Sequence, residues 1–175
     1  MRVIASFECI SQRSNIIVIG SDQNKRTEII HKILEAKNCI DSALIICDND
    51  RKHAYKSIQD FRESIPHDFL DTRIVNKSLH FFLVVDDVSM IKSRSGSLAI
   101  LNGKCCNTSV IVSAENTDDI LPNIFDHFDY FVYLDTQLIK EPIDNIESNS
   151  IIVIHKIKND RTTYIYKEPM NCFLI

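Results

Sequence analysis

Six short apolar runs, each closed by a polar or turn residue, constrain this chain most: Asn15 to Gly20 (NIIVIG), Ala43 to Cys47 (ALIIC), His80 to Asp86 (HFFLVVD), Thr108 to Ser113 (TSVIVS), Tyr130 to Leu134 (YFVYL) and Ser150 to Ile157 (SIIVIHKI). Their length and β-branched content suit strands buried on both faces. Segments of helical period lie between them: Lys25 to Lys37, with Ile29, Ile30, Ile33 and Leu34 on one face, then Lys52 to Glu63, then Ser93 to Leu101. Near-continuous apolar strands alternating with helices argue an α/β fold, a mainly parallel sheet flanked by helices. The last two strands differ, because SIIVIHKI and TTYIYKE flank the turn-rich Lys158-Asn159-Asp160-Arg161. They predict a C-terminal antiparallel β-hairpin closing the sheet edge. No internal repeat or linker interrupts the 175 residues, and Glu141 to Asn149, with Pro142, reads as an ordinary connection. A single domain over residues 1–175 is expected.

The charge balance, 20 basic against 24 acidic residues, argues against a whole-surface nucleic-acid binder while leaving room for a local basic groove. No stretch reaches the roughly 18 apolar residues of a membrane span, and the opening MRVIASFECISQRSN lacks the basic-then-apolar order of a signal peptide. Action inside a cell is expected. Cys9, Cys39, Cys47, Cys105, Cys106 and Cys172 show no C-x-x-C or metal spacing and read as reduced thiols. The dispersed His31, His53, His67, His127 and His155 show no partner, and a zinc site is not expected.

Only three glycines occur, so each is expected to hold a backbone position that a side chain cannot. Gly20 ends the first strand and opens Gly20-Ser21-Asp22-Gln23-Asn24-Lys25-Arg26-Thr27, after which a helix TEIIHKIL is expected. Against the phosphate-loop pattern G-x-x-x-x-G-K-[ST], Gly20 and Thr27 match. Lys25 stands in place of the second glycine and Arg26 in place of the lysine. In an intact loop, backbone N–H groups cradle phosphates, the lysine reaches the terminal phosphates and the hydroxyl holds magnesium. Thr27 retains the metal-binding hydroxyl. The planar guanidinium of Arg26 is no substitute for a compact ammonium. Alone, the segment reads more readily as a strand-to-helix turn capped by polar residues.

The second candidate is FFLVVDD, an apolar strand running into Asp86 and Asp87. In a nucleotide-hydrolysing sheet the first carboxylate holds the magnesium shell and the second orients or deprotonates the attacking water. A strand exiting into solvent at an acidic turn is the alternative. Both candidates sit at the carboxyl ends of strands, where ligands of open α/β sheets bind. The third is TSVIVS followed by Ala114-Glu115-Asn116, a strand whose end delivers a polar side chain.

In this order the parts NIIVIGSDQNKRT, HFFLVVDD, SRSGSLAILNGKCCNTSVIVSAE and LPNIFDHFDYFVYL resemble the genome-packaging ATPases of large DNA viruses, the poxvirus-type branch of the FtsK and HerA class of P-loop motors. The resemblance runs over nearly the whole chain and is one of layout. It implies a P-loop NTPase sheet with the Glu115 strand between the Gly20 and Asp86 strands. It implies a nucleotide site at Gly20, Lys25, Arg26 and Thr27, magnesium on Thr27 and Asp86, and catalytic roles for Asp87 and Glu115 if the chain is active. Lys92, Arg94 and Lys104 are then candidates for DNA or subunit contact, against the alternative of solvated helix-end charges.

The departures from that family lie at contact points. Besides the altered loop, Lys104 and Cys105 stand where arginine and histidine are usual, and Glu115 where a glutamine is expected. A carboxylate near a triphosphate repels it unless protonated or paired. The expected function is therefore a packaging-ATPase homologue with a degenerate nucleotide site, a non-hydrolysing or weakly active subunit of genome packaging or virion assembly. ATP and magnesium binding are in doubt. Viral DNA, other packaging or virion proteins, or further copies of the chain are its expected partners, in host cytoplasm or virion. The alternatives are an active DNA-translocating ATPase and a structural or host-interaction protein that retains only the fold. Two minor readings complete the set: Tyr164 and Tyr166 as cross-strand surface pairs, and Asp118-Asp119 as a helix N-cap.

Overall fold

In the computed structural model, residues 2–11, 13–38, 43–55, 58, 60–66, 69, 80–92, 94–139, 150–157 and 160–167 are described. Nine strands form one sheet: β1 (Arg2–Ile4), β2 (Asn15–Ile19), β3 (Ala43–Ile46), β4 (Asp60–Arg62), β5 (Phe81–Val85), β6 (Thr108–Ala114), β7 (Tyr130–Tyr133), β8 (Ile151–Ile157) and β9 (Asp160–Tyr166). Their order across the sheet is β1-β9-β8-β7-β2-β6-β5-β3-β4. From β7 to β4 every neighbour is parallel. The strand before Glu115 lies between those before Gly20 and Asp86, as the resemblance implies.

Alternation in the apolar runs explains why both faces are covered. Ile16, Val18, Ile45, Val84, Ile111 and Val132 point to one face, where Ile29, Ile30, Ile33 and Leu34 of helix α1 (Gln23–Ala36) cover them. Ile17, Ile19, Leu83, Val85, Val110 and Val112 point to the other, covered in part by Ala99 and Ile100 of helix α2 (Arg94–Asn102). Each fully buried aliphatic chain contributes about 1.5–3 kcal/mol from removal of apolar surface. That burial overrides the modest helix propensity of the three isoleucines in α1.

Three expectations about elements change. The Lys52 to Glu63 segment is not a helix: Asn49–Tyr55 forms 3-10 turns that bury Tyr55, and Asp60–Arg62 continues as edge strand β4 against β3. The C-terminal hairpin forms, with Ile157 opposite Asp160, but it does not close the sheet. Strand β1 adds parallel to β9 outside it, through pairs such as Val3 and Ile165. Tyr166 is consequently buried and stacked on Phe7, ring centroids 4.5 Å apart, so it is no surface residue. Among the described residues no helix is long and apolar enough to cross a membrane.

Candidate functional site

At the carboxyl end of β2 the chain turns sharply. Gly20 N–H still donates to Ala114 O of β6 (3.2 Å), extending the ladder by one residue. A Cβ at Gly20 would stand 2.8 Å from Cβ of Leu134, at the end of β7, so glycine is demanded here by close approach. Only Ser21 and Asp22 then separate Gly20 from α1, which begins at Gln23, four residues before the Thr27 start expected from the sequence. The physical reason is the cap. Asp22 has extended backbone, and its Oδ1 accepts hydrogen bonds from Asn24 N–H (2.9 Å) and Lys25 N–H (3.2 Å). Ser21 is fixed by Asp135, whose Oδ2 accepts from both its N–H and its hydroxyl at 2.9 Å. Lys25 and Arg26 therefore lie within the first helical turn, where Arg26 N–H donates to Asp22 O (3.0 Å).

Arg26 is 7% exposed and turns inward. Its Nε donates to Ser113 Oγ of β6 (2.7 Å), and its Nη1 donates to the carbonyl oxygen of Gly20. Burial lowers the pKa of this guanidinium, and the carboxylates of Asp86 and Glu115 oppose that shift.

Thr27 and Asp86 come together, one from α1 and the other from the end of β5. The side chain of Asp86 is 3% exposed, and its carboxylate accepts from Arg51 Nε (3.0 Å) and from the Tyr55 hydroxyl (2.6 Å). Arg51 Nη2 also donates to Thr27 Oγ1 (2.8 Å), whose own hydroxyl donates to Gln23 O one turn back (3.1 Å). Burial, then the Asp86 charge, raises the Tyr55 phenol pKa well above its ordinary value. The same two causes push the neighbouring Cys47 thiol up to about 11.

Arg51 and Tyr55, which tie the site together, were not singled out from the sequence. The signal was there in the i, i+4 pair following β3, but Tyr55 lay inside the expected helix Lys52 to Glu63 and Arg51 just ahead of it.

The remaining candidates are spread out. Asp87 is exposed and accepts from Ser89 N–H (2.6 Å), a local turn. Glu115 is exposed just past β6, close enough to act on the Arg26 charge, whereas Ser113 is the β6 side chain that touches Arg26. Lys104 pairs with Asp129 (2.6 Å) rather than standing as a free cation. Arg94 opens α2 and Lys92 ends the preceding turn; their side chains lie outside the described residues. The cap beyond β6 is Asn116, with Asp119 reciprocating in a capping box. His31 does find a partner, the Ala54 carbonyl (3.2 Å), and His155 stacks on Tyr130. Cys9, Cys47, Cys105 and Cys106 are free thiols, while Cys39, Cys172 and His67 lie outside the described residues. Among the described residues no group of three or more His, Cys, Asp or Glu is arranged to hold a metal.

No protein-family profile and no curated protein sequence matches the chain. Solved structures do. The genome packaging NTPase B204 from Sulfolobus turreted icosahedral virus 2, in complex with AMP, superposes with a TM-score of 0.66 at 12% identity, covering 92% of this chain and 100% of that one. The fold is that of the P-loop NTPases. Its other neighbours include the cytoplasmic domain of EssC (TM-score 0.59, 13% identity, 89% of this chain and 38% of that one). The N-terminal domain of zonular occludens toxin from Neisseria meningitidis also matches (TM-score 0.57, 8% identity, 91% and 96%). The resemblance to viral packaging NTPases and FtsK/HerA-type ATPases is thus met at the level of three-dimensional structure.

Proposed function

We propose that this chain is a viral packaging-ATPase homologue whose nucleotide position is filled by its own side chains, and that it serves as a non-hydrolysing or feeble subunit in genome packaging or virion assembly. One observation carries the reading: the N–H groups opening α1, the Arg26 guanidinium, the Thr27 hydroxyl and the Asp86 carboxylate are already engaged within the chain. Asp22 takes the N–H groups of Asn24 and Lys25 at the N-terminus of α1, which would otherwise face a phosphate. Arg26, at the lysine position, is spent on Gly20 O and Ser113. Thr27 and Asp86, the metal candidates, both bond to Arg51. A triphosphate and its magnesium do not fit this arrangement as it stands, because the Asp22 carboxylate repels the phosphates and a guanidinium already bridges the metal ligands.

The neighbours support the packaging part of the proposal. B204 is described as a genome packaging NTPase and is seen with AMP, with ATP-gammaS and with AMPPCP. Phosphoryl transfer relies on neutralising charge at the terminal phosphate, and here the Arg26 guanidinium is bonded to Ser113 and Gly20 O instead. Turnover should fall far below the median of about 10 per second for enzymes. Phosphate release from ATP, with and without double-stranded DNA, tests this directly. Brisk release abolished by Asp87→Asn would instead establish a working motor.

A further inference from the structure

The internal filling of the site includes a feature that the altered loop does not explain. Arg51 is nowhere near the loop in sequence, yet its one guanidinium joins the two side chains that a P-loop site needs for magnesium. Nε–H reaches Asp86 Oδ2 and Nη2–H reaches Thr27 Oγ1, at 3.0 and 2.8 Å. Tyr55, one turn further along the same 3-10 segment, donates to the other oxygen of Asp86. The arrangement is withdrawn from water: Asp86 and Thr27 are buried, and the Arg51 side chain is 16% exposed.

A divalent cation in such a place offers positive charge to a carboxylate and accepts a hydroxyl lone pair. A guanidinium satisfies the same two oxygens through N–H donors in fixed directions, with a charge that does not titrate away. An aliphatic residue at position 51 would leave the buried Asp86 carboxylate hydrogen-bonded to Tyr55, with the Arg26 charge acting on it but no cation bonded to it, an arrangement that attracts a cation from solution.

We propose that Arg51 is the resident cation of this site: it stands between Thr27 and Asp86 in the position of a divalent metal, excludes that metal, and makes any anion recognition at this sheet edge independent of magnesium. This deepens the reading of a self-filled site and names the residue that keeps the metal out. Replacing Arg51 by a neutral side chain therefore creates a divalent-cation site that the unmodified chain lacks.

The probe is Mn2+ alone, without nucleotide, followed by electron paramagnetic resonance as it is titrated to millimolar concentration. The unmodified protein is expected to leave the signal of free Mn2+ unchanged, and Arg51→Lys, which keeps a cation in place, to do the same. Arg51→Met is expected to bind Mn2+, and Arg51→Met with Asp86→Asn to lose it again. A folded Arg51→Met protein that leaves Mn2+ free would overturn the assignment. So would Mn2+ binding by the unmodified chain that Asp86→Asn removes. Circular dichroism and a cooperative melt establish folding. If Arg51→Met does not fold, the unmodified and lysine proteins decide, since an Asp86-dependent Mn2+ site in either refutes exclusion and free Mn2+ in both supports it. Because nucleotide is absent from every arm, ATP binding without metal would sink the self-filled reading and leave the Arg51 assignment standing.

Discussion

Asp22 is the residue whose removal should be most informative, because its carboxylate caps α1 by taking the N–H groups that could otherwise meet an anion. Asp22→Ala frees the N–H groups of Asn24 and Lys25, which lie 2.9 and 3.2 Å from its Oδ1. Loss of an N-cap carboxylate costs about 1 kcal/mol, and Asp22 is exposed, so a value in the lower half of the usual 0.5–2 kcal/mol span is expected. For a domain of this size each kcal/mol lowers Tm by about 2–4 °C. Asp22→Asn, which keeps an accepting oxygen, should melt close to the unmodified protein. The freed helix N-terminus becomes an anion site. Sulfate at ten times its Kd would therefore return about 1.4 kcal/mol to the alanine variant. Thermal melts in chloride and in sulfate at matched ionic strength read both effects. Asp22 has no such role if Asp22→Ala melts with the unmodified protein, or if both proteins respond equally to sulfate.

Tyr55→Phe removes a 2.6 Å hydrogen bond to a buried carboxylate, and a loss of about 1.5–3 kcal/mol is expected in chemical denaturation at pH 7. Because the folded state raises the Tyr55 pKa, its contribution is complete below the unfolded value near 10. It is lost above that at about 1.4 kcal/mol per pH unit, so the variant should show a shallower alkaline decline than the parent; an identical decline refutes the assignment. Cys47, buried and pushed up to about 11, should resist alkylation at pH 8 while exposed Cys105 reacts, and all six cysteines should label after denaturation without reductant; equal native rates would contradict this. Gly20→Ala places a Cβ 2.8 Å from Cβ of Leu134 and should cost about 1–3 kcal/mol of stability, with an unchanged melt as the contrary result.

The parallel core was legible because burial on both faces leaves an unmistakable apolar run: NIIVI, FFLVV and TSVIVSA are wholly or almost wholly buried. The edges were not. Strand β1 has three residues, two of them exposed, and β4 reads Asp60-Phe61-Arg62, so neither carries the pattern that burial imposes. Position in the fold alone makes them strands, through backbone pairing to β9 and β3.

The site shows the same division. Gly20, Thr27 and Asp86 were found from spacing and strand ends, and the sheet brings them to one edge. The expected order of the strands follows from the family resemblance and could not follow from spacing. What the side chains do there depends on tertiary neighbours. The inward turn of Arg26 needs Ser113 from β6, and the bridge from Thr27 to Asp86 needs Arg51 and Tyr55, which lie just ahead of and inside the segment read as a helix. Asp22 was missed despite a local signal, an aspartate just ahead of a helix, because matching the loop pattern put the helix start too late.

If the chain's own groups fill the nucleotide position, a nucleotide finds no place there. Equilibrium titration of the unmodified protein with a fluorescent ATP analogue, in magnesium and again in a chelator, tests it most directly. No saturable binding is expected in either titration, and the two should superimpose. Saturable binding that appears only with magnesium and disappears in Thr27→Ala would contradict it.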